Sequence, residues 1–481
     1  MDWLNGNLQR AFRANRGKAW TAGLESLDVE YLESGPLQLL SGSIPPSLRG
    51  VFYRNGPARH ERGVARYSHK WDADGMVQAF RIGDDGIRHM GRYVSTKKHL
   101  NESAADALLT STFATPVLGM NALNTDVDEM NVANISVTMF NNELLALWEA
   151  GSAYALDPKT LQTIGVKDWR AGELVRPFSA HPKIDSSGTM WNFGSDPING
   201  VLTIFKISNR GQVEAFKRFN VEKLPPIHDF AVTARHMVFL MPPMEFDTER
   251  LRSGHAFARA SAWRPNLGTR VLVVRKDTWT CKWHELPPMA GFHIGNAWED
   301  SLGTIRLDFM GAQNPTSMFS GWTMMAGEYS HAKGAVMTLA EIRANGGASL
   351  ELVDALEAEF PVVDPAVVGS RYRKVLCLER TLSRPANLPG WDAVCMFDVD
   401  DRHMNSFCFG DGYVVEEHVF AGAPGRGAEW VIGVVLNLSS RRTELTIFEA
   451  SNLSAGPVGV AGLPYALPFG LHGHFHHAHS R

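Results

Sequence analysis

Short apolar runs rich in β-branched and aromatic residues recur along this whole chain, each bounded by Gly, Asn or Asp clusters, and no helix–strand alternation lies between them. Residues 50–53, 143–148, 190–193, 201–207, 237–241, 270–275, 430–438 and 443–448 have the length and residue types of strands. Asp84-Asp85-Gly86, Asn141-Asn142, Ser186-Ser187-Gly188 and Asn209-Arg210-Gly211 mark turns between them. The 44 glycines suit a turn-rich β protein. This rhythm excludes a parallel α/β sheet and predicts an all-β fold. No Pro- or Ser-rich linker divides residues 1–481, so one large domain is the expectation. Strand pairs repeated over this length fit a pair of sandwiches or a propeller. No WD or kelch repeat decides between the two. Helical pattern is confined to residues 101–109, 110–123 and 339–344.

Four histidines make the propeller the more useful solution. They sit in unrelated contexts: Ser179-Ala180-His181-Pro182, Ile227-His228-Asp229-Phe230, Phe292-His293-Ile294-Gly295 and Gly470-Leu471-His472-Gly473. No local metal motif joins them, so only the fold can gather them. The innermost strands of a propeller converge on one axis and can deliver single residues from distant blades. A solitary histidine is more often a surface or hydrogen-bonded core residue than a ligand, and the chain has 18. Context singles out these four. Pro182 biases His181 towards extended backbone, and His228 and His293 have apolar neighbours, where imidazole nitrogens need partners. Three carboxylates occupy similar surroundings. Glu149 ends the run Leu144-Leu145-Ala146-Leu147-Trp148, Glu359 precedes Phe360-Pro361-Val362-Val363, and Glu417 lies in Val414-Val415-Glu416-Glu417-His418. Taken singly, each is a strand end in solvent; beside a ligating histidine, each would fix a ring tautomer.

The formal charge of -4 and the sequence pI near 6.5, without a basic run, exclude a nucleic-acid partner. Residues 1–25 contain no apolar signal core, and no window reaches the roughly 20 apolar residues of a spanning helix, which predicts a cytoplasmic protein. Cys281, Cys377, Cys395 and Cys408 show no CxxC spacing and read as buried reduced thiols. Residues 107–120, apolar but interrupted by Pro116 and Gly119, read either as a core-packed loop or as an exposed entrance for an apolar substrate with peripheral membrane contact.

A series of ordered motifs resembles the carotenoid cleavage oxygenases. They are Gly42-Ser43-Ile44-Pro45-Pro46-Ser47-Leu48-Arg49-Gly50, Tyr53-Arg54-Asn55-Gly56-Pro57, His69-Lys70-Trp71-Asp72-Ala73-Asp74-Gly75-Met76 and Leu147-Trp148-Glu149, followed by the four histidine segments. The likeness runs from about residue 38 to 473. It implies a seven-bladed β-propeller with a dome of loops and helices over an axial iron(II), written Fe(2+), held by His181, His228, His293 and His472. It also implies that Glu149, Glu359 and Glu417 pair with three of these ligands and that His181 has no such partner. In the tract His472-Gly473-His474-Phe475-His476-His477-Ala478-His479, the motif assigns only His472 to the metal; His474, His476, His477 and His479 are expected in solvent.

The implied activity is cleavage of a conjugated carbon–carbon double bond by dioxygen, giving two carbonyl products without a reducing cofactor. Ala73 stands where the family usually has glycine, and Ile135 where many relatives have a threonine beside an open iron position. Ile135 and Trp148 are therefore candidate pocket residues near the iron. The stilbene-cleaving branch of the family carries a lysine where this chain has Trp148, which favours a carotenoid or apocarotenoid substrate. Two alternatives stand beside it: cleavage of a phenolic alkene of the stilbene, isoeugenol or vinylphenol type, and a propeller that binds an apolar ligand without turnover. A monomer or weak oligomer is expected.

Overall fold

Asn141 and Asn142 show how the sequence writes one hairpin. Both take left-handed φ, 49° and 62°, as the two-residue turn matched to strand twist requires. Ser136–Phe140 therefore folds straight back on Glu143–Leu147, with Phe140 opposite Glu143. Asp84-Asp85 connects Asp74–Gly83 to Gly86–Tyr93, and there the positive φ, 103°, falls on Gly86, the first residue after the turn, paired with Gly83. The computed structural model describes residues 2–117, 126–171, 175–253, 255–423 and 427–478. Among these, such hairpins form a seven-bladed β-propeller.

The ring is closed twice. The C-terminal strand Gly473–His477 pairs along Gly50–Arg59 in the first blade. The N-terminal strand Gln38–Gly42 pairs with Gly459–Gly462 in the last. Leu48, Phe52, Phe80, Val419, Ile432 and Leu445 fill the seam between those two blades. Burying each such side chain is worth roughly 1.5–3 kcal/mol, so the seam is held by far more than the two ladders. The fifth and sixth blades share the long strand Ala348–Val362, whose first part pairs with Val336–Ile342 and whose end pairs with Lys374–Glu379.

Above one end of the axis lie the helices Lys97–Ala105 and Thr316–Met324 and the loop around residues 106–117. Buried charges hold this dome. Lys98 Nζ bonds Asp74 Oδ1 at 2.9 Å and Glu102 Oε2 at 2.9 Å, while Arg62 pairs with Asp74. Burial would raise the Asp74 carboxyl, but Lys98, His99 and Arg62 outweigh it and hold it well below the usual carboxylate range. Glu102 Oε1 accepts from the Leu109 and Thr110 N–H groups, and Asp72 Oδ1 accepts from that of Ala114. The carboxylates thus staple the loop to the propeller.

Every strand read from the sequence is present. The helical readings fare differently. Residues 101–109 overlap the helix Lys97–Ala105, which starts four residues earlier because the Thr96 hydroxyl caps the His99 N–H. It ends where Asp106 turns left-handed, at φ 45°. Residues 339–344 are not helical. Residues 339–342 end the strand Val336–Ile342, where Leu339 and Glu341 are half-buried and Ala340 and Ile342 buried in strand alternation, and 343–344 begin the turn after it. Residues 110–117 form a loop, with Thr110, Ser111, Thr112, Ala114 and Thr115 buried. The described part of 107–120 is thus the core-packed loop rather than an exposed apolar face; residues 118–123 lie outside the described residues.

The C-terminal tract is also corrected. His474, His476 and His477 lie on the strand Gly473–His477, opposite Tyr53, Val51 and Gly50, and are half-buried there rather than on a solvated tail. Burial pushes His474 down to about 4. His479 lies outside the described residues. Cys377 and Cys395 are buried and unpaired as expected, whereas Cys281 and Cys408 are exposed, each on an outer strand. No described helix is long and apolar enough to cross a membrane.

Candidate metal centre

His181, His228, His293 and His472 meet at the axis, with one ring nitrogen from each lying within 4.8 Å of all the others. Their positions on the blades explain the convergence. His181 and His228 stand two and three residues before the short strands Lys183–Ile184 and Ala231–Val232, His293 lies within Ala290–Glu299, and His472 directly precedes Gly473–His477. The Nε2 atoms of His181 and His228 are 2.9 Å apart, and those of His228 and His293 3.1 Å. Two ligands bound at right angles to one metal with bonds of about 2.1 Å would stand about 3 Å apart. The cluster therefore has the spacing of a mononuclear four-imidazole metal site.

The outward nitrogens set the ring orientation. His293 Nδ1–H donates to Glu359 Oε2 at 2.5 Å, His472 Nδ1–H donates to Glu417 Oε1 at 2.8 Å, and His228 Nδ1–H donates to Glu149. Each bond places the remaining lone pair, on Nε2, towards the axis. No described carboxylate pairs with His181. Its backbone N–H, rather than its ring, donates to Ser179 Oγ at 3.2 Å.

The three carboxylates are not equivalent. Glu417 is 5% exposed, Glu359 18% and Glu149 42%. Burial, then the charges of neighbouring imidazoles, push His181 and His228 well below the ordinary histidine range. Burial also lowers His293, but the charge and hydrogen bond of Glu359 outweigh it and raise the ring. A half-exposed carboxylate is screened by water and holds less charge on its partner than an enclosed one. Glu359 is aimed by an unusual backbone: Phe360 sits at φ +56° and gives its N–H to Glu359 Oε2 at 3.0 Å. A bulky residue in that region costs energy and persists only where its surroundings enforce it. The Phe360 ring stacks on His293 with centroids 5.3 Å apart.

Ile135 and Trp148 flank the cluster. Ile135 is buried against Leu147 and Ala180, with Trp148 and Leu471 beside the same group. The Ile135 carbonyl accepts the His472 N–H at 3.2 Å. Sequence reasoning missed two supports. Asp229, directly after His228, bonds Lys183 Nζ at 2.8 Å and the Ile294 N–H at 2.9 Å, lacing three ligand segments together. Its place in the His-Asp-Phe motif was the available signal. Glu416, beside Glu417, bonds Arg54 and, at 2.5 Å, the Gly470 N–H. Successive glutamates thus grip the loop that carries His472 from both ends. A cavity of about 180 Å³ touches His181, His293 and His472 and is walled by Phe360, Val362 and Asp229.

The donor set fits one divalent metal of the imidazole-preferring kind. Four neutral imidazoles leave a six-coordinate ion two positions for other ligands. Among known proteins, the sequence profile described as RPE65, retinal pigment epithelial membrane protein, matches residues 25–477. The chain is 28% identical to the apocarotenoid-15,15'-oxygenase of Synechocystis sp., over 94% of this chain and 95% of that one. It is 27% identical to the isoeugenol monooxygenase of Pseudomonas putida, over 90% and 93%. It is 26% identical to resveratrol cleavage oxygenase 1 of Aspergillus fumigatus, over 93% and 92%. The crystal structure of cobalt-substituted Synechocystis ACO superposes with a TM-score of 0.85 at 27% identity, covering 96% of this chain and 98% of that one.

Proposed function

Because the chain belongs to the RPE65/carotenoid cleavage oxygenase family, a family of alkene-cleaving oxygenases, we propose that it is an iron(II)-dependent dioxygenase that cleaves a conjugated double bond of a carotenoid or apocarotenoid. The observation that carries this reading is the convergence of four imidazoles, three of them held by carboxylates, at the axis under a dome. Iron(II) would supply the site's affinity for dioxygen. Both carbon–carbon bonds of the alkene and the oxygen–oxygen bond break and two carbonyl bonds form, so atoms and electrons balance without an outside reductant.

The chain's own residues bind and orient. His181, His228, His293 and His472 hold the ion in their neutral forms, which the depressed His181 and His228 already favour. Glu149, Glu359 and Glu417 fix the tautomers, and no side chain need act as acid, base or nucleophile. Ile135 and Trp148 shape the apolar approach. Trp148, rather than the lysine of the stilbene-cleaving branch, supports a polyene over a phenolic alkene.

The test is oxygen consumption by iron(II)-loaded protein against apocarotenals, stilbenes and propenylphenols, with products identified by mass. The expected result is a pair of polyene aldehydes. Aromatic aldehydes alone would replace this substrate with a phenolic one. No uptake with any of them, despite one bound iron per chain, would favour a binding protein.

A further inference from the structure

Three of the four ligand segments share a support that strand pairing does not supply. His181, His228 and His293 stand at the innermost strands of three successive blades, Lys183–Ile184, Ala231–Val232 and Ala290–Glu299. Each of these strands pairs only with the next strand outward in its own blade. Among the described residues, no backbone ladder joins the three blades at the axis. The strand that carries His293 is also irregular: its register against Ile305–Ala312 shifts on both sides of Ile294. A bulge of this kind re-aims a side chain and disrupts the ladder that would otherwise hold it.

Asp229 spans the gap. Its side chain is 3% exposed. Oδ1 accepts from the Phe230 N–H at 2.7 Å and from Lys183 Nζ at 2.8 Å, while Oδ2 accepts from the Ile294 N–H at 2.9 Å. One carboxylate, on the residue after His228, thus reaches the residue after His293 and the second residue after His181. Lys183 is its one ion-pair partner among the described residues. An enclosed carboxylate that loses its cation takes up a proton or draws in water, and either outcome weakens its hold on Ile294. His472 lies outside this unit. Glu416 and Glu417 accept the N–H groups of Gly470 and Gly473 on either side of it, and Arg54 supplies the cation there. Lys183 and Asp229 also line the cavity of about 180 Å³ beside the cluster, which leaves room for a larger head group at position 183.

We propose that Lys183 is a positioning residue for the metal: through Asp229 it locks His181, His228 and His293 into one unit, to which His472 is added as a separately held fourth ligand. This rests on the metal site of the reading above and is independent of which alkene is cleaved.

The test titrates metal-free full-length protein with cobalt(II) and follows its visible absorption, which reports the number and arrangement of ligands. Chemical denaturation of the metal-free protein is measured beside it. Lys183→Met should bind cobalt about tenfold or more weakly than the wild type, with an altered spectrum. Lys183→Arg keeps the cation and should keep most of the affinity and the wild-type spectrum. Asp229→Asn should match Lys183→Met, and the double variant should bind no more weakly than either, because the two residues act as one unit. Lys183→Gln serves if the methionine variant does not fold. Wild-type affinity and spectrum in the folded methionine or glutamine variant, whatever its stability, would overturn the proposal. Equal losses in the arginine and methionine variants, or losses that add in the double variant, would do the same. A wild type that binds no cobalt would remove the metal site and the proposal together. Failure of oxygen uptake in a protein that binds cobalt as described would count against the cleavage reading alone.

Discussion

The axis and the dome above it solve the same problem, holding charged groups away from water, by opposite means. At the axis, the histidines and carboxylates stand on strands or next to their ends, and each of the three carboxylates is one hydrogen bond away from an imidazole. In the dome, Arg62, Asp74, Lys98 and Glu102, joined by Tyr67 and His99, form a buried network that anchors a helix and a loop. The axis spends its charge on tuning a reactive centre; the dome spends it on keeping an irregular loop in place. Changes at the axis should therefore alter metal affinity and rate, whereas changes in the dome should alter stability first.

Lys98→Met separates the two most sharply. It leaves Asp74 and Glu102 with less compensation in a site where Lys98 and both carboxylates are almost wholly enclosed. Removing one partner of such a buried set costs about 3–5 kcal/mol. Chemical denaturation should show that loss, while metal bound per folded chain stays at the wild-type level. A loss of metal without a loss of stability would break the comparison.

Acid should find the propeller's weak point behind the axis. His418 is buried on the strand that carries Glu417, its Nδ1–H donating to the Glu416 carbonyl at 2.8 Å, and burial pushes it down to about 4. Because the folded value lies below that of the unfolded chain, the unfolded state takes the proton first. The stability contribution is complete above about pH 6.5 and falls as the pH drops towards 4, by about 3 kcal/mol for this one group. A His418→Gln variant, measured in urea at pH 7.5 and 4.5, should lose less stability between the two than the wild type. An equal loss would show that His418 is not the group responsible.

The smallest expected difference lies within the axis itself. Glu359→Gln and Glu149→Gln each keep the side-chain shape and remove the charge. Losing such a partner costs about 10- to 100-fold in metal affinity or activity. Glu359 is the more enclosed of the two and the one that raises its histidine, so its variant should fall further. Competition with a chelator ranks them. The reverse order would mean that exposure does not decide the outer carboxylate's effect.

The sequence made the axis far more legible than the dome. Strands announce themselves through alternation and turn residues, and Asn141-Asn142 can do little but turn. The histidines were identifiable because ordered motifs carried them. The dome depends on contacts between residues far apart in sequence, as between Asp72 and Ala114 or Arg62 and Asp74, and no local pattern encodes such pairs. Residues 339–344 misread as helix because a short apolar run carries too little periodicity. His474 misread as solvated because a histidine-rich tract resembles a tail, while its pairing with Tyr53 spans nearly the whole chain.

The central claim is that one metal sits among four imidazoles and no carboxylate. X-ray absorption on the iron(II)-loaded protein tests it most directly. The account predicts one iron per chain with four imidazole nitrogens at about 2.1 Å, the distance expected for a metal–imidazole bond. Fewer imidazoles, a carboxylate in their place, or no stoichiometric iron would contradict it.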